Sequence, residues 1–261
     1  MKTMKHLWIC LCLLGLLPLS LQAQEEKLSA DSLSVAAALR YASGDYEQAA
    51  ACYERLRAEF GQSYQLYYNL GNAYFKAGRY PQAILNYEKA KLLNPRDADL
   101  LFNLELCQSH VVDKIEPLGQ VLFVRLYQDL LKTCSANAWA VISLAAFGVF
   151  ILCLALYFFG KTTVLKKLSF SFGIISILIT IFTLTNAAQL YSTYIHPKEA
   201  IVFAPTVTVK SSPDQSGTEL FVLHEGTKLK VNSRLGSWVE VEIADGSVGW
   251  MPATCIEMIK L

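Results

Sequence analysis

The apolar and polar positions of this chain fall into three textures: long charge-free runs, a stretch with helical periodicity, and a C-terminal stretch that alternates residue by residue. The runs AWAVISLAAFGVFILCLALYFFG (138–160) and FSFGIISILITIFTLTNAAQLY (170–191) hold no Asp, Glu, Lys or Arg. At about 1.5 Å of rise per residue each reaches roughly 30 Å or more, the thickness of a bilayer's hydrocarbon core. Buried core helices seldom stay uncharged over such a length, so two transmembrane helices are expected. Trp139 at one end, and Tyr191 and Tyr194 at the other, suit the aromatic belts of a membrane interface.

A third apolar run opens the chain. In MKTMKHLWICLCLLGLLPLSLQAQ, Lys2 and Lys5 precede an apolar stretch that ends at Pro18 and then Leu-Gln-Ala. This is the three-part layout of a secretory signal over 1–23, cut after Ala23. Leu21 is larger than the residue usual three places before a cut, which leaves an uncleaved anchor open. The segment 161–169, KTTVLKKLS, carries Lys161, Lys166 and Lys167 without an acid, and by the positive-inside rule faces the cytoplasm. A secreted N-terminus followed by two crossings requires the same arrangement, so both soluble parts are expected outside.

Between signal and spans the chain repeats itself at an offset of 34. SGDYEQAAACYERL (43–56) lies over AGRYPQAILNYEKA (77–90), with Gly44, Tyr46, Gln48, Ala49, Tyr53 and Glu54 matching Gly78, Tyr80, Gln82, Ala83, Tyr87 and Glu88. Such a period predicts stacked helix-turn-helix units. Tyr67, Leu70, Gly71 and Tyr74 share one face of a helix, and Ala83, Tyr87 and Ala90 form the matching face of a second that Pro95 ends. These eight residues resemble the full signature of the tetratricopeptide (TPR) repeat. The unit before it is weaker, with Ala37 and Arg40 where Gly and Tyr are usual. The helix DADLLFNLELCQ that follows keeps Leu101 and Leu104 in phase, which gives two repeats plus a capping helix over 30–110. The resemblance implies protein or peptide binding on a concave face, with Asn69, Asn72, Lys76 and Asn103 as candidate holding residues. The same positions also suit solvated polar sites.

The segment 111–135 contains one apolar stripe, Phe123, Leu126, Tyr127, Leu130 and Leu131, with Arg125, Gln128 and Asp129 off it. A helix at the bilayer surface fits this, and so does a cap on the last repeat. From Ile201 the pattern alternates: TVTVK, ELFVL, TKLKVN, WVEVEI and SVGWM are short strands between turn residues, with Asp245-Gly246 as a hairpin signal. Five or six strands over 200–261 predict one small barrel. Pro213, Gly226, Trp238, Gly246, Gly249 and Trp250 stand where they do in the bacterial SH3-like domain, which this stretch resembles. Such domains bind cell-wall glycopeptide or proteins. Trp238 and Trp250 are the candidate surface, although a barrel this small calls for large side chains in its core, and core positions are the expectation.

Composition narrows the chemistry. With 23 Lys+Arg against 22 Asp+Glu there is no basic footprint for nucleic acid. His110, His196 and His224 lie in separate segments without metal-ligand spacing, and no nucleophile elbow or phosphate-binding glycine loop occurs. Cys52, Cys107, Cys134 and Cys255 fall outside the signal and spans, in a compartment that permits disulfides, but no C-x-x-C accompanies them, so structural or free thiols are expected. No enzyme, cofactor or metal is predicted.

The fold class is therefore multidomain: all-α TPR helical hairpins, two transmembrane helices, and a C-terminal small all-β SH3-like barrel. That order over the whole chain resembles the BatE branch of the Bacteroides aerotolerance (Bat) family. The resemblance implies a bacterial inner-membrane scaffold whose domains face the periplasm. Its partners would be von Willebrand-type membrane proteins and, indirectly, a MoxR-type AAA ATPase, in an oxygen- or stress-tolerance complex. The other reading is a peptidoglycan-binding envelope protein in which the barrel is primary.

Overall fold

The structure, a computed structural model, describes residues 29–116, 119, 122–131, 133–195 and 197–261. The expected signal (1–23) and His196 lie outside the described residues, as does the side chain of Tyr194. Helix α1 occupies 29–42, followed by α2 (Tyr46–Phe60), α3 (Tyr64–Lys76), α4 (Tyr80–Leu93) and α5 (Ala98–Gln108). Local chemistry sets these ends. The Asp45, Ser63 and Asp97 side chains accept the N–H groups of Gln48, Leu66 and Leu100, satisfying donors that a helix start leaves open. Pro81 stands in the first turn of α4, where its missing N–H costs nothing.

The α3–α4 seam forms as the small residues require. A Cβ on Gly71 would lie 2.4 Å from two ring carbons of Tyr87, so only glycine lets that ring cross the α3 backbone. Ala83, Tyr87 and Ala90 are all buried there with Leu70 and Tyr67. One period later, α5 carries Glu105 where α3 has Gly71. No second helix can approach α5 that closely, and the array stops.

Helices α7 (Ala136–Phe159) and α8 (Thr163–Ile195) form an antiparallel hairpin. Their shared seam follows steps of three and four: Ala136, Trp139, Ser143, Ala146, Phe150 and Cys153 on α7, and Ser169, Gly173, Ser176, Thr180, Thr183 and Ala187 on α8, are all buried or half-buried. Ser143 Oγ donates to the Thr180 carbonyl at 3.3 Å and Ser176 Oγ to that of Ala146 at 2.6 Å. Large apolar residues face outward, with Val141 66%, Leu144 72% and Phe158 67% exposed. Apart from Trp139 and Phe150 the seam is small or polar and the outside large and apolar, which inverts a soluble helix pair and is the arrangement that helix packing in lipid favours. Both helices are long and apolar enough to cross a membrane. α8 begins at Thr163, so most of the expected 161–169 loop is helical. Nothing in TVLKKLS breaks a helix, Thr162 Oγ1 accepts the Leu165 N–H, and the turn shrinks to the residues around Gly160. At about 1.5 Å per residue, the 33 residues of α8 outrun a bilayer core and carry Lys166 and Lys167 within their first two turns. Trp139 is buried, packed edge-on to Phe182 with its Nε1 donating to the Leu131 carbonyl, and so serves the junction of the hairpin with α6 (Leu122–Leu131).

The C-terminal sheet is antiparallel throughout, in the order β3-β2-β6-β5-β4-β1-β7. Its strands are β1 (Glu199–Val202), β2 (Thr206–Lys210), β3 (Glu219–His224), β4 (Lys228–Leu235), β5 (Trp238–Glu242), β6 (Val248–Pro252) and β7 (Ile256–Met258). The five strands read from alternation are β2 to β6. The short β1 and β7 join them, and β1 docks on α4. Ile201 and Ile259 are buried in the same apolar cluster as Ile84, Tyr87 and Leu100. The barrel is packed onto the repeats, and α4 is covered on both sides.

Candidate partner-binding surfaces

On α3, Asn72 Oδ1 accepts the Tyr87 hydroxyl at 2.8 Å and Asn103 Nδ2 at 3.0 Å, while Asn103 Nδ2 also reaches the Tyr68 hydroxyl at 3.0 Å. Asn103 thus meets Asn72, not its repeat-equivalent Asn69, and both amides tie α3, α4 and α5 together. Burial holds the Tyr87 hydroxyl well above the ordinary phenol range, so it stays a donor. Asn69 is half-buried and Lys76 exposed. Beside this network Tyr64 stacks on Tyr68 with ring centres 6.0 Å apart. Of the four candidates, Asn72 and Asn103 are engaged in bonds within the repeats, and Lys76 is the exposed one. His110 stacks on Tyr80 at 4.8 Å and its Nδ1 bonds the Leu106 carbonyl, so it closes the end of α5.

The tryptophans do not fill the barrel. Buried Val239, Val241 and Met251 belong to the core with Val207, Val209 and Leu223, whereas Trp238 and Trp250 are half-buried on the opposite side of β5 and β6. The register sets Trp250 opposite Glu240 and Trp238 opposite Pro252, so both rings share one outer face. Parity was the available signal: in WVEVE, Trp238 shares its face with Glu240 and Glu242, which pair with Ser233, Lys230 and Asn232. The expectation of a core role is corrected.

What the sequence did not disclose is the join between the repeats and the C-terminal sheet. Glu88 and Lys89 are each 4% exposed. Lys228 Nζ lies 3.0 Å from Glu88 Oε2 and 2.8 Å from Glu199 Oε2. Lys89 sits 3.8 Å from Glu257 and over the Tyr67 ring, and burial lowers its pKa. On the linker after α5, Asp113 accepts the His224 backbone N–H at 2.7 Å, the His224 Nδ1 at 2.7 Å and the Thr227 hydroxyl at 2.6 Å. Burial pushes the Asp113 pKa up, but these bonds outweigh it and hold the carboxyl below its usual range. Gly226 has φ of 86°, and a Cβ there would lie 2.9 Å from Val111 and 3.4 Å from Ile84, so this turn needs glycine both for its shape and for its closeness to the repeats.

The cysteines among the described residues are free. Cys107 is fully buried, and burial pushes its thiol up to about 12, which removes it from thiolate chemistry.

The Tetratricopeptide repeat family matches residues 64–97, which are α3, α4 and the turn after them. The Bacterial SH3 domain family matches residues 205–257. No curated protein matches the chain. Among solved structures, the Yersinia enterocolitica type III secretion chaperone SycD in complex with a peptide of the translocator YopD is similar at 19% identity. That match covers 59% of this chain and 94% of that one, with a TM-score of 0.29. The chain thus carries a tetratricopeptide-repeat segment and a bacterial SH3 segment on either side of two helices apolar enough to span a membrane.

Proposed function

We propose that this protein is a membrane-anchored adaptor without catalytic chemistry of its own, which holds protein partners on a single outer module built from the repeats and the barrel. The observation that carries this reading is the join itself. Two interaction modules separated in sequence by a membrane hairpin are fastened together through Glu88–Lys228 and Asp113–His224, so their outer surfaces keep a fixed relation. Asn69 and Lys76, seven residues apart on α3, form the repeat-side holding surface. Trp238 and Trp250 form the barrel-side surface. The lysines at the turn between the spans support placing that turn in the cytoplasm and the module in the periplasm of a bacterial inner membrane. The likeness in domain order to the BatE branch of the Bat family suggests von Willebrand-type membrane proteins as direct partners. It further suggests a MoxR-type AAA ATPase as an indirect one, in a complex serving aerotolerance or stress.

Purification of the tagged full chain from native membranes tests this. The variant Asn69→Ala with Lys76→Ala is expected to lose partners that the intact chain retains; an unchanged partner set refutes the repeat-side surface. The outward pair of tryptophans favours a second reading, a cell-wall binder led by the barrel. Sedimentation with purified peptidoglycan that is lost on Trp238→Ala would select it.

A further inference from the structure

Helix α6 has three faces, and the chain accounts for two of them. Successive residues turn by about 100° around a helix. On the arc that meets the hairpin, Leu131 is buried and the Tyr127 hydroxyl lies 3.0 Å from Asn186 Oδ1 and 2.9 Å from Gln189 Oε1 of α8. Asn186 is 1% exposed, so Tyr127 meets a polar group that the hairpin otherwise encloses. The Leu131 carbonyl accepts Trp139 Nε1 at 3.2 Å, which fixes the end of α6 to the start of α7. A second arc carries the exposed Arg125 and Asp129, with the half-buried Gln128 between it and the hairpin side. The third arc, adjoining the hairpin side, holds Leu122, Phe123, Leu126 and Leu130, which are 65%, 80%, 56% and 41% exposed.

We infer that this third arc lies in the acyl boundary of the outer leaflet, with α6 flat on the membrane and pinned edgewise to the hairpin. Continuity chooses the occupant. The uncovered leucines and Phe123 belong to a helix bonded to α7 and α8 at their outer ends, and they extend the apolar outer surface that those helices present to lipid. Four large side chains left in water would form an exposed patch with no compensating polar group. Seated among acyl chains they bury, while Arg125 stays level with the phosphates. The consequence is positional: α6 ends the linker from the repeats, so the outer module is held against the bilayer and not on a free tether.

The inference rests on the membrane reading of the hairpin, and the test separates the two. Phe123, Leu126, Asp129 and, on α7, Leu144 are each replaced by p-benzoylphenylalanine in the full chain, which is placed in phosphatidylcholine nanodiscs, irradiated and analysed by mass spectrometry. At least about fivefold more lipid adduct from Phe123 and Leu126 than from Asp129 is expected, as a partly inserted amphipathic helix requires. Lipid adducts from Leu144 with none from Phe123 or Leu126 overturn the inference and leave the hairpin spanning. Adducts from Phe123 to protein instead of lipid overturn it in favour of a protein-covered face. No lipid adduct at Leu144 either removes the membrane reading and this inference together.

Discussion

Replacing Lys228 by Met tests whether the repeats and barrel stand or fall together. The change removes two contacts, at 3.0 Å to Glu88 and 2.8 Å to Glu199, while keeping a side chain of similar length. Glu88 has a side chain only 5% exposed and retains Lys91 at 3.7 Å as its remaining cation. Stripping one partner from a buried pair costs about 3–5 kcal/mol. Because Lys91 remains and the Lys228 side chain is 28% exposed, the lower range of about 2–3 kcal/mol applies here. Spread over one cooperative unit of this size, that lowers Tm by roughly 5–10 °C. Two probes separate the domains in detergent-solubilised full chain: the repeats contribute the unfolding change in far-ultraviolet circular dichroism, and the part of the tryptophan emission change that Trp238→Phe with Trp250→Phe removes reports on the barrel. Both midpoints are expected to fall together. Adding Glu88→Gln removes the stranded charge and recovers about half the loss, the non-additivity expected of a contacting pair. A fall in only one probe, or in neither, refutes the coupled module.

Three further perturbations follow from particular contacts. Gly71→Ala gains about 1 kcal/mol of helix propensity but drives a Cβ into the Tyr87 ring, an overpacking of about 1–3 kcal/mol; urea unfolding followed by circular dichroism should show a net loss that Tyr87→Leu in the same chain relieves. Asp113 has its pKa depressed in the folded state, so its contribution is complete above the ordinary aspartate value of about 3.9 and fades as pH falls through the lower folded value. Asp113→Asn should therefore weaken the join at neutral pH by about 1–2 kcal/mol and flatten the acid limb of a stability–pH curve. In the hairpin, a Cβ on Gly173 would lie 3.6 Å from Cys153 Cβ, whereas one on Gly148 meets nothing within 4 Å. Gly173→Cys should cross-link to Cys153 under mild oxidation and block its alkylation, since disulfides need Cβ atoms about 3.5–4.5 Å apart; Gly148→Cys should not.

Much of the architecture was legible because it is local and periodic. The α3–α4 seam follows from residues three and four apart, the strands from alternation, and the two long apolar helices from length without charge. The parity of WVEVE also told the two faces of β5 apart, but preference for a large core residue overrode it, and Trp238 turned out to lie outside. What local pattern does not carry is distance in sequence. Nothing in the local pattern of α4 shows that Glu88 and Lys89 are buried against the C-terminal sheet, and their partners Lys228 and Glu257 lie more than a hundred residues away, beyond α7 and α8. Asn72 and Asn103 likewise read as outward amides, because a repeat consensus says which side a residue faces and not which neighbour it bonds. The start of α8 was missed for a simpler reason: the lysines of 161–169, read as a loop, are also good helix formers.

The claim that this is a holding protein is tested most directly at the holding surface, in native membranes. A photoreactive residue is placed at Asn69 or Lys76, and for comparison at Arg55, whose side chain is 67% exposed on α2 and paired with Glu59. The adaptor reading predicts discrete adducts to one or a few membrane-associated proteins from positions 69 and 76, and background labelling from 55. Equal labelling from all three, or adducts from 55 with none from 69 and 76, would contradict it.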